Sequence, residues 1–190
     1  MEYLNINMCI LLMGDLMNIK KLKVLGFFIA FGLSFLVHFL YDLFPYFITS
    51  IFAPVNESIW EHMKILFTCL IVSGVVQKII VILKKEEVNN VCFSNFIGSL
   101  LSIPIFLLIY LPIYYIVGEN LFISIFIMAI VMGISEVISY VIMKRKHLGL
   151  ENYTILFVVI CYSLFTVLSY YPLKIDIFKD PITSQYGINK

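Results

Sequence analysis

Five long apolar stretches constrain the fold of this chain more than any other feature. They cover residues 22–44, 60–83, 96–117, 121–143 and 152–171. A helix of about 20 apolar residues crosses the hydrocarbon core of a bilayer, and a backbone in lipid must satisfy its own hydrogen bonds. The sequence therefore predicts an all-α, polytopic transmembrane helical bundle with five spans, which together form one transmembrane domain at residues 22–171.

The composition excludes the main soluble classes. Of the 190 residues, 62% are hydrophobic and 13% are charged, whereas a soluble domain carries about 25% charged residues. A net charge of +1 offers no basic surface to a nucleic acid, so the lipid bilayer is the partner that the composition predicts. It indicates no oligomeric state. The four cysteines have no paired spacing, which argues against a zinc knuckle or a disulfide framework.

Basic residues alternate between the connections and predict the orientation. They cluster at Lys20, Lys21 and Lys23, at Lys84 and Lys85, and at 144–146. The connections 45–57 and 118–120 contain neither Lys nor Arg. Because basic connections stay in the cytoplasm, the N-terminus is predicted inside and the C-terminus outside.

The two ends of the chain flank this domain. We expect residues 1–21 to form an N-terminal cytoplasmic segment, of which 1–16 are an extension upstream of a natural start at Met17, and 172–190 to form an external tail. The apolar run after Lys23 is too long for the core of a signal peptide and predicts an uncleaved first membrane helix. The localisation predicted from these features is the cell (cytoplasmic) membrane, crossed several times.

Polar and ionisable side chains gather where the first span ends and the second begins. They are Ser34, His38, Asp42, Asn56, Glu57, Ser58, Glu61 and His62. Charge is costly in a membrane, so ionisable residues there usually have a function. Small and polar residues recur every fourth position in the first span, at Gly26, Ala30, Ser34, His38 and Asp42. This spacing predicts one slanting stripe that faces a neighbouring helix.

Two interpretations of this polar cluster stay open. In the first, Ser58 and Glu61 form a capping box at the start of the second span, with Asn56 as a further cap. In the second, histidines and carboxylates bind a divalent metal such as zinc. The ligands predicted for that metal are His38, Asp42, Glu61 and His62. Three protein ligands and a bound water would give zinc a hydroxide nucleophile.

A second pair of charged residues lies deeper in the predicted bundle. Lys78 in the second span and Glu136 in the fourth both fall toward the cytoplasmic side. They are a candidate buried ion pair, since an unpaired charge in the membrane is costly. In the alternative interpretation, Lys78 extends to the headgroups and Glu136 is neutral.

The strings His38-Phe-Leu-Tyr-Asp42, Pro54-Val-Asn-Glu-Ser-Ile-Trp-Glu-His62 and 178–187 resemble an uncharacterised family of small bacterial multi-pass membrane proteins, a domain of unknown function. The resemblance covers the chain from about Met17 and implies five or six spans in a bacterial cytoplasmic membrane. It implies no activity, so the functional interpretation depends on the residues themselves.

Three functional classes follow from the polar cluster. The residues favour small-molecule or ion binding or transport at a polar site near the outer leaflet. The first alternative is a metal-dependent intramembrane hydrolase that acts on lipid. Ser34 and His38 are weakly similar to the Ser-xxx-His of metal hydrolases related to alkaline ceramidases, although the last span has no His-xxx-His. The second alternative is a structural or accessory membrane protein. The sequence does not decide whether the protein is an enzyme.

Overall fold

The computed structural model of the protein describes residues 18–118 and 120–188. Its α-helices are α1 (Ile19–His38), α2 (Leu40–Leu43), α3 (Phe47–Phe52), α4 (Ile59–Leu83), α5 (Val91–Val117), α6 (Leu121–Met143) and α7 (Thr154–Tyr170), with 3₁₀ turns at Glu151–Tyr153 and Asp176–Phe178. No strand occurs in these described ranges. The predicted N-terminal segment 1–21 lies largely outside them, and the proposed extension 1–16 lies wholly outside.

Within the described residues, the prediction of five helices long and apolar enough to cross a membrane is confirmed. Five helical stretches are long and apolar enough to cross a membrane, namely Ile19–Leu43, Ile59–Leu83, Val91–Val117, Leu121–Met143 and Glu151–Tyr170. The third begins at Val91 and not at the predicted residue 96. Its extra turn carries Ser94 and Asn95, which are buried inside the bundle, so polarity in that turn marks a helix contact and not a loop. The same helix continues through Pro104 and Pro112.

Helix α4 lies at the centre of the bundle. It packs against α1 and α5, and α6 packs against both of those helices. The core around it includes Met63, Leu66, Phe67, Phe106, Val131 and Met132. Large apolar side chains on the outer faces, such as Leu36, Leu108 and Phe122, are exposed. An apolar exterior around an apolar core is what a protein with lipid as its solvent requires.

Glycines permit the closest helix contacts. A Cβ on Gly98 would lie 2.7 Å from the backbone oxygen of Ser135, which brings α5 against α6. A Cβ on Gly26 would clash with Nε2 of Gln77 on α4 and lie 2.6 Å from Oε1 of Glu136 on α6, so α1 lies close to both helices. Small residues at such crossings let membrane helices approach without a hydrophobic driving force.

The bundle has two chemically different ends. The basic end is where α1 begins and α4 ends, with Lys84 and Lys85 after α4. The histidine end is where α1 ends at His38 and α4 begins at Ile59. The short helices α2 and α3 lie in the connection at the histidine end.

The C-terminal residues 172–188, which we call the strap, fold back on the histidine end. Phe178 packs on Trp60 with ring centroids 4.8 Å apart. Asn56 Nδ2 donates to the backbone oxygen of Gly187 at 2.9 Å, and the Ile188 amide donates to the Ser169 oxygen at 3.2 Å. The strap thus covers the start of α4 and the end of α7.

Candidate metal centre

Two histidines and one glutamate meet at the histidine end. His38 is the last residue of α1, Glu57 lies in the loop before α4, and His62 lies in the first turns of α4. Nε2 of His38 is 3.6 Å from Oε1 of Glu57, and Nε2 of His62 is 3.6 Å from Oε2 of the same carboxylate. One ligand atom from each residue lies within 4.8 Å of the others. We call these three residues the His-Glu-His cluster.

A hydrogen bond fixes the protonation pattern of the His62 ring. Nδ1 of His62 lies 3.0 Å from the backbone oxygen of Ser58. A carbonyl oxygen only accepts, so Nδ1 carries the hydrogen. In a neutral ring, Nε2 then presents its lone pair toward the Glu57 carboxylate. Both groups are then acceptors 3.6 Å apart, so a donor such as water, or a metal ion, can bridge them.

The loop that carries Glu57 is held by hydrogen bonds on both sides. Asn56 Oδ1 accepts from the Ser58 amide at 2.9 Å, and Ser58 Oγ accepts from the Glu61 amide at 3.4 Å. Ser58 is therefore the N-cap of α4, as the capping interpretation predicts. The return half of that capping box is different, because Glu61 Oε2 accepts from the Val55 amide at 3.1 Å.

Glu61 belongs to a separate, buried ion pair. Its Oε2 lies 2.6 Å from Nζ of Lys64, and the side chains of both residues are almost fully buried. Lys64 also donates to the Ser50 oxygen and to Ser169 Oγ, each at 2.9 Å. Ser169 in turn donates to Glu61 Oε1 at 2.5 Å. The Lys64 ammonium already neutralises Glu61, which leaves Glu57 as the carboxylate that faces both histidines.

Asp42 does not join the cluster. Helix α1 ends at His38, and Asp42 lies in the separate short helix α2 with an exposed side chain. The buried stripe on α1 consists of Gly26, Ala30 and Ser34, with His38 at its partly buried end. Of the four predicted metal ligands, the structure brings together His38 and His62 and places Asp42 and Glu61 elsewhere.

A cavity of about 230 Å³ adjoins the cluster. His38 and His62 form part of its wall, and the other lining residues are mostly apolar, with Phe31, Phe35, Ile65 and Met128 among them. The hydroxyl of Ser34 also lines it but donates to the Phe31 oxygen at 2.7 Å. Phe35 is 45% exposed on the outer surface of α1. The cavity therefore connects the cluster with the outer surface of the bundle.

A second buried polar network lies toward the basic end. Lys23 Nζ is 3.3 Å from Oε2 of Glu136 and donates to Gln77 Oε1 at 2.8 Å, Asn95 Oδ1 at 2.7 Å and Ser139 Oγ at 2.5 Å. Gln77 Nε2 donates to Glu136 Oε1 at 2.9 Å. This network joins α1, α4, α5 and α6.

Glu136 thus pairs with Lys23 and not with Lys78, the partner predicted from the sequence. Lys23 follows Lys20 and Lys21 in the basic cluster before the first span, yet it is only 5% exposed. Its position three residues before Gly26 places it on the contact stripe of α1, and that spacing is the signal in the sequence that points to it. Lys78 instead lines a different cavity, together with Cys92 and Glu151.

Comparisons with known proteins identify the family but no activity. The model of a family described as a family of unknown function, DUF6512, matches residues 12–188. No curated protein matches the chain, and no solved structure matches it. The functional interpretation therefore depends on the geometry of the sites.

Proposed function

The chain belongs to DUF6512, a family of unknown function, and we propose that it is a multi-pass membrane protein that binds a divalent transition metal through His38, Glu57 and His62. One observation carries the proposal: ligand atoms from these three residues lie within 4.8 Å of one another. Around a tetrahedral ion with bonds of about 2.0–2.2 Å, ligand atoms are roughly 3.3–3.6 Å apart. The two His–Glu separations of 3.6 Å reach the upper end of this range but involve different oxygens of Glu57, so the three side chains would draw together around one ion.

The donor set supports zinc, with iron and manganese as the nearest competitors. Imidazole and carboxylate ligands suit these ions. The Ser58 carbonyl holds Nδ1 of His62, which directs the Nε2 lone pair toward the site, as the outer contacts of metal-bound histidines do. Three protein ligands leave a position for water or for a ligand to be carried. The side chains are 19–32% exposed, so this position is open to the surroundings of the bundle.

The orientation of the bundle completes the proposal. The basic end would lie in the cytoplasm because the Lys and Arg clusters flank it. The histidine end would then face outward from a bacterial cytoplasmic membrane, and the metal would reach the cluster from outside. Such a site suits ion binding at the outer leaflet, as a resident ion or as cargo for transport.

Metal analysis of the purified protein tests the proposal. Protein prepared in detergent without chelators and equilibrated with zinc should retain about one ion per chain after desalting. His38→Ala, His62→Ala and Glu57→Gln should each lose most of it, because three ligands are the minimum for a stable site. Asp42→Asn is the matched control, as a nearby carboxylate outside the cluster. Wild-type protein that retains no zinc, iron or manganese would refute the metal centre.

A metal-dependent lipid hydrolase is the second candidate function. The observation that favours it is that His38 and His62 line the apolar cavity of about 230 Å³. An acyl chain in that cavity would place an ester group beside His38 and His62, and a zinc ion held by these residues and Glu57 would supply an activated water for its hydrolysis. Met128→Trp should fill the cavity and abolish hydrolysis of vesicle lipids while metal content stays unchanged. If metal-loaded wild-type protein leaves the lipids intact, the hydrolase function is excluded, whereas the metal-binding proposal is unaffected.

A further inference from the structure

A second cavity lies at the other end of the bundle, away from the His-Glu-His cluster. It measures about 350 Å³ and is bounded by α4, α5, and the start of α7. Its walls are largely apolar and include Ile71, Val75, Phe96 and Val158. The charged residues among its lining are Lys78 and Glu151. The cavity is therefore an apolar space in the membrane-spanning region with an ammonium group in its wall.

The negative charge in the wall is already engaged. Oε1 and Oε2 of Glu151 accept from the backbone amide of Cys92 at 3.2 and 3.0 Å. Cys92 is the second residue of α5, and a carboxylate at a helix N-terminus is balanced by the free amides and the dipole of that helix. Lys78 is thus the charged group in this wall that is available to bind an anion.

The mouth of the cavity opens toward lipid. Val75 and Ile79 on α4 are 54% and 49% exposed, and Ile155 on α7 is 73% exposed. All three also line the cavity. Because α7 packs only lightly on α5, a chain in the bilayer has lateral access between α7 and α4. Apolar walls exclude a free inorganic anion as the full occupant, since it would leave those walls unfilled.

We propose that this cavity binds an anionic phospholipid from the leaflet at the basic end, with its phosphate at Lys78 and an acyl chain along the apolar walls. The surrounding charge supports this occupant. Lys84 and Lys85 follow α4, and 144–146 (Lys-Arg-Lys) follow α6 at the same end. Basic residues beside a membrane concentrate anionic lipid near the surface. None of the residues of the metal centre lines this cavity, so the two sites are independent.

Native mass spectrometry of the full chain in detergent tests the proposal, with dioleoyl phosphatidylglycerol and dioleoyl phosphatidylcholine as the added lipids. The wild type should retain phosphatidylglycerol in preference to phosphatidylcholine. Lys78→Gln should reduce phosphatidylglycerol affinity about fivefold and bring the two lipids close to parity, since one basic residue near a membrane surface is worth about that factor. Lys21→Gln is the matched control, as an exposed lysine at the same end that does not line the cavity.

A steric test separates the cavity from the membrane surface. Val158→Trp should fill the cavity and weaken retention of both lipids, whereas Val159→Trp, on the exposed face of the same helix, should not. Ile155→Trp at the exposed mouth provides a second plug that adds no bulk to the core. An unchanged lipid preference in Lys78→Gln would overturn the proposal. Equal retention by both plug variants and the Val159→Trp control would overturn it as well.

Discussion

At the scale of single residues, the charged side chains fall into two groups, buried ion pairs and the partly exposed His-Glu-His cluster. Lys23–Glu136 and Lys64–Glu61 are buried, and each ammonium is surrounded by further oxygen acceptors. Charges removed from water in this way must be paired and hydrogen-bonded to be tolerated. The His-Glu-His cluster is partly exposed, and Nε2 of His62 lies 3.6 Å from the Glu57 carboxylate, beyond hydrogen-bond distance. Pairing explains the first two groups as parts of the scaffold, whereas the partly exposed cluster is the group that we propose binds a metal.

The Lys64–Glu61 pair gives a stability prediction. Lys64→Met should leave the Glu61 carboxylate buried without its cation and lower the free energy of unfolding by about 3–5 kcal/mol. The double variant Lys64→Met/Glu61→Gln should recover a large part of this loss because no charge stays buried. Thermal unfolding in detergent measures both, with Lys84→Met as an exposed control. Equal destabilisation of the single and double variants would show that the unpaired charge of Glu61 is not the cause of the lost stability.

Of the metal ligands predicted from the sequence, the structure brings His38 and His62 together and places Asp42 and Glu61 elsewhere. His38 and His62 are recognisable because ionisable residues stand out in apolar spans. The four-residue spacing extends past His38 to Asp42, but α1 ends at His38 and the chain turns before α2. Helical periodicity favours Glu61 over Glu57, since it describes positions in a helix and not in a loop. The Lys64 contact that engages Glu61 is an i,i+3 pair, a spacing that the sequence offers, whereas the Ser50 and Ser169 acceptors that bury Lys64 come from other helices.

At the scale of helices, the stripe on α1 determines how closely α1 approaches α4 and α6. Gly26 and Ala30 are buried, whereas Gly32 has no neighbouring atom within 4 Å of the position of a Cβ. Ser73 Oγ on α4 donates to the Gly26 oxygen at 2.8 Å, a contact that requires close backbones. A stripe of this kind specifies one face of a helix but not the helix that covers it.

Alanine substitutions on this helix test the close approach. Gly26→Ala should lower stability by about 1–3 kcal/mol, because its Cβ would lie 2.6 Å from Glu136 Oε1 and push into the Lys23 network. Gly32→Ala should be neutral or slightly stabilising, since alanine favours helix and meets no atom there. Unfolding in detergent, monitored by circular dichroism, distinguishes the two. Matching stability of both variants would mean that the Gly26 contact is loose.

The helices themselves are predictable from the sequence, whereas their partners are not. Length and hydropathy determine which segments cross a bilayer, so four of the five predicted starts lie within three residues of the structure. Which helices pack together depends on tertiary contacts that periodicity does not encode. Lys23 reaches Glu136 because α1 lies beside α6. These two helices are not joined by a short connection, so the sequence does not indicate that they are neighbours. The predicted third span begins after Ser94 and Asn95 because these residues are polar. Their burial against neighbouring helices is again a tertiary contact that hydropathy does not reveal.

At the scale of the whole molecule, the strap links the C-terminus to the candidate metal centre. Gly187 accepts from Asn56, the residue before Glu57, across 131 residues of sequence. A Cβ on Gly187 would lie 2.6 Å from the Ser169 oxygen, and its φ is +68°, in the region that favours glycine. Outer contacts of this kind orient metal ligands. The strap therefore contributes to the position of the Glu57 loop from the far end of the chain.

Displacing the strap should weaken metal binding without removing a ligand. Gly187→Ala should reduce zinc affinity about 10-fold or more, the range found when outer contacts of a metal site are lost. Gly149→Ala is the matched control, because Gly149 has a φ of +72° but no atom within 4 Å of an added Cβ. Competition titration against a zinc-binding dye measures both. Equal zinc affinities in the two variants would show that the strap does not contribute to metal binding.

The orientation of the bundle decides from which compartment the cluster is reached. Lys84, Lys85 and 144–146 flank one end, whereas the connection 45–57 at the other end has no Lys or Arg. Basic connections stay in the cytoplasm, so reporter domains fused after residues 85 and 146 should report the cytoplasm. A reporter fused after residue 190 should report the outside, because five spans separate it from an inside N-terminus. A cytoplasmic signal from the C-terminal fusion would place the His-Glu-His cluster at the inner leaflet and make the metal a cytoplasmic ligand.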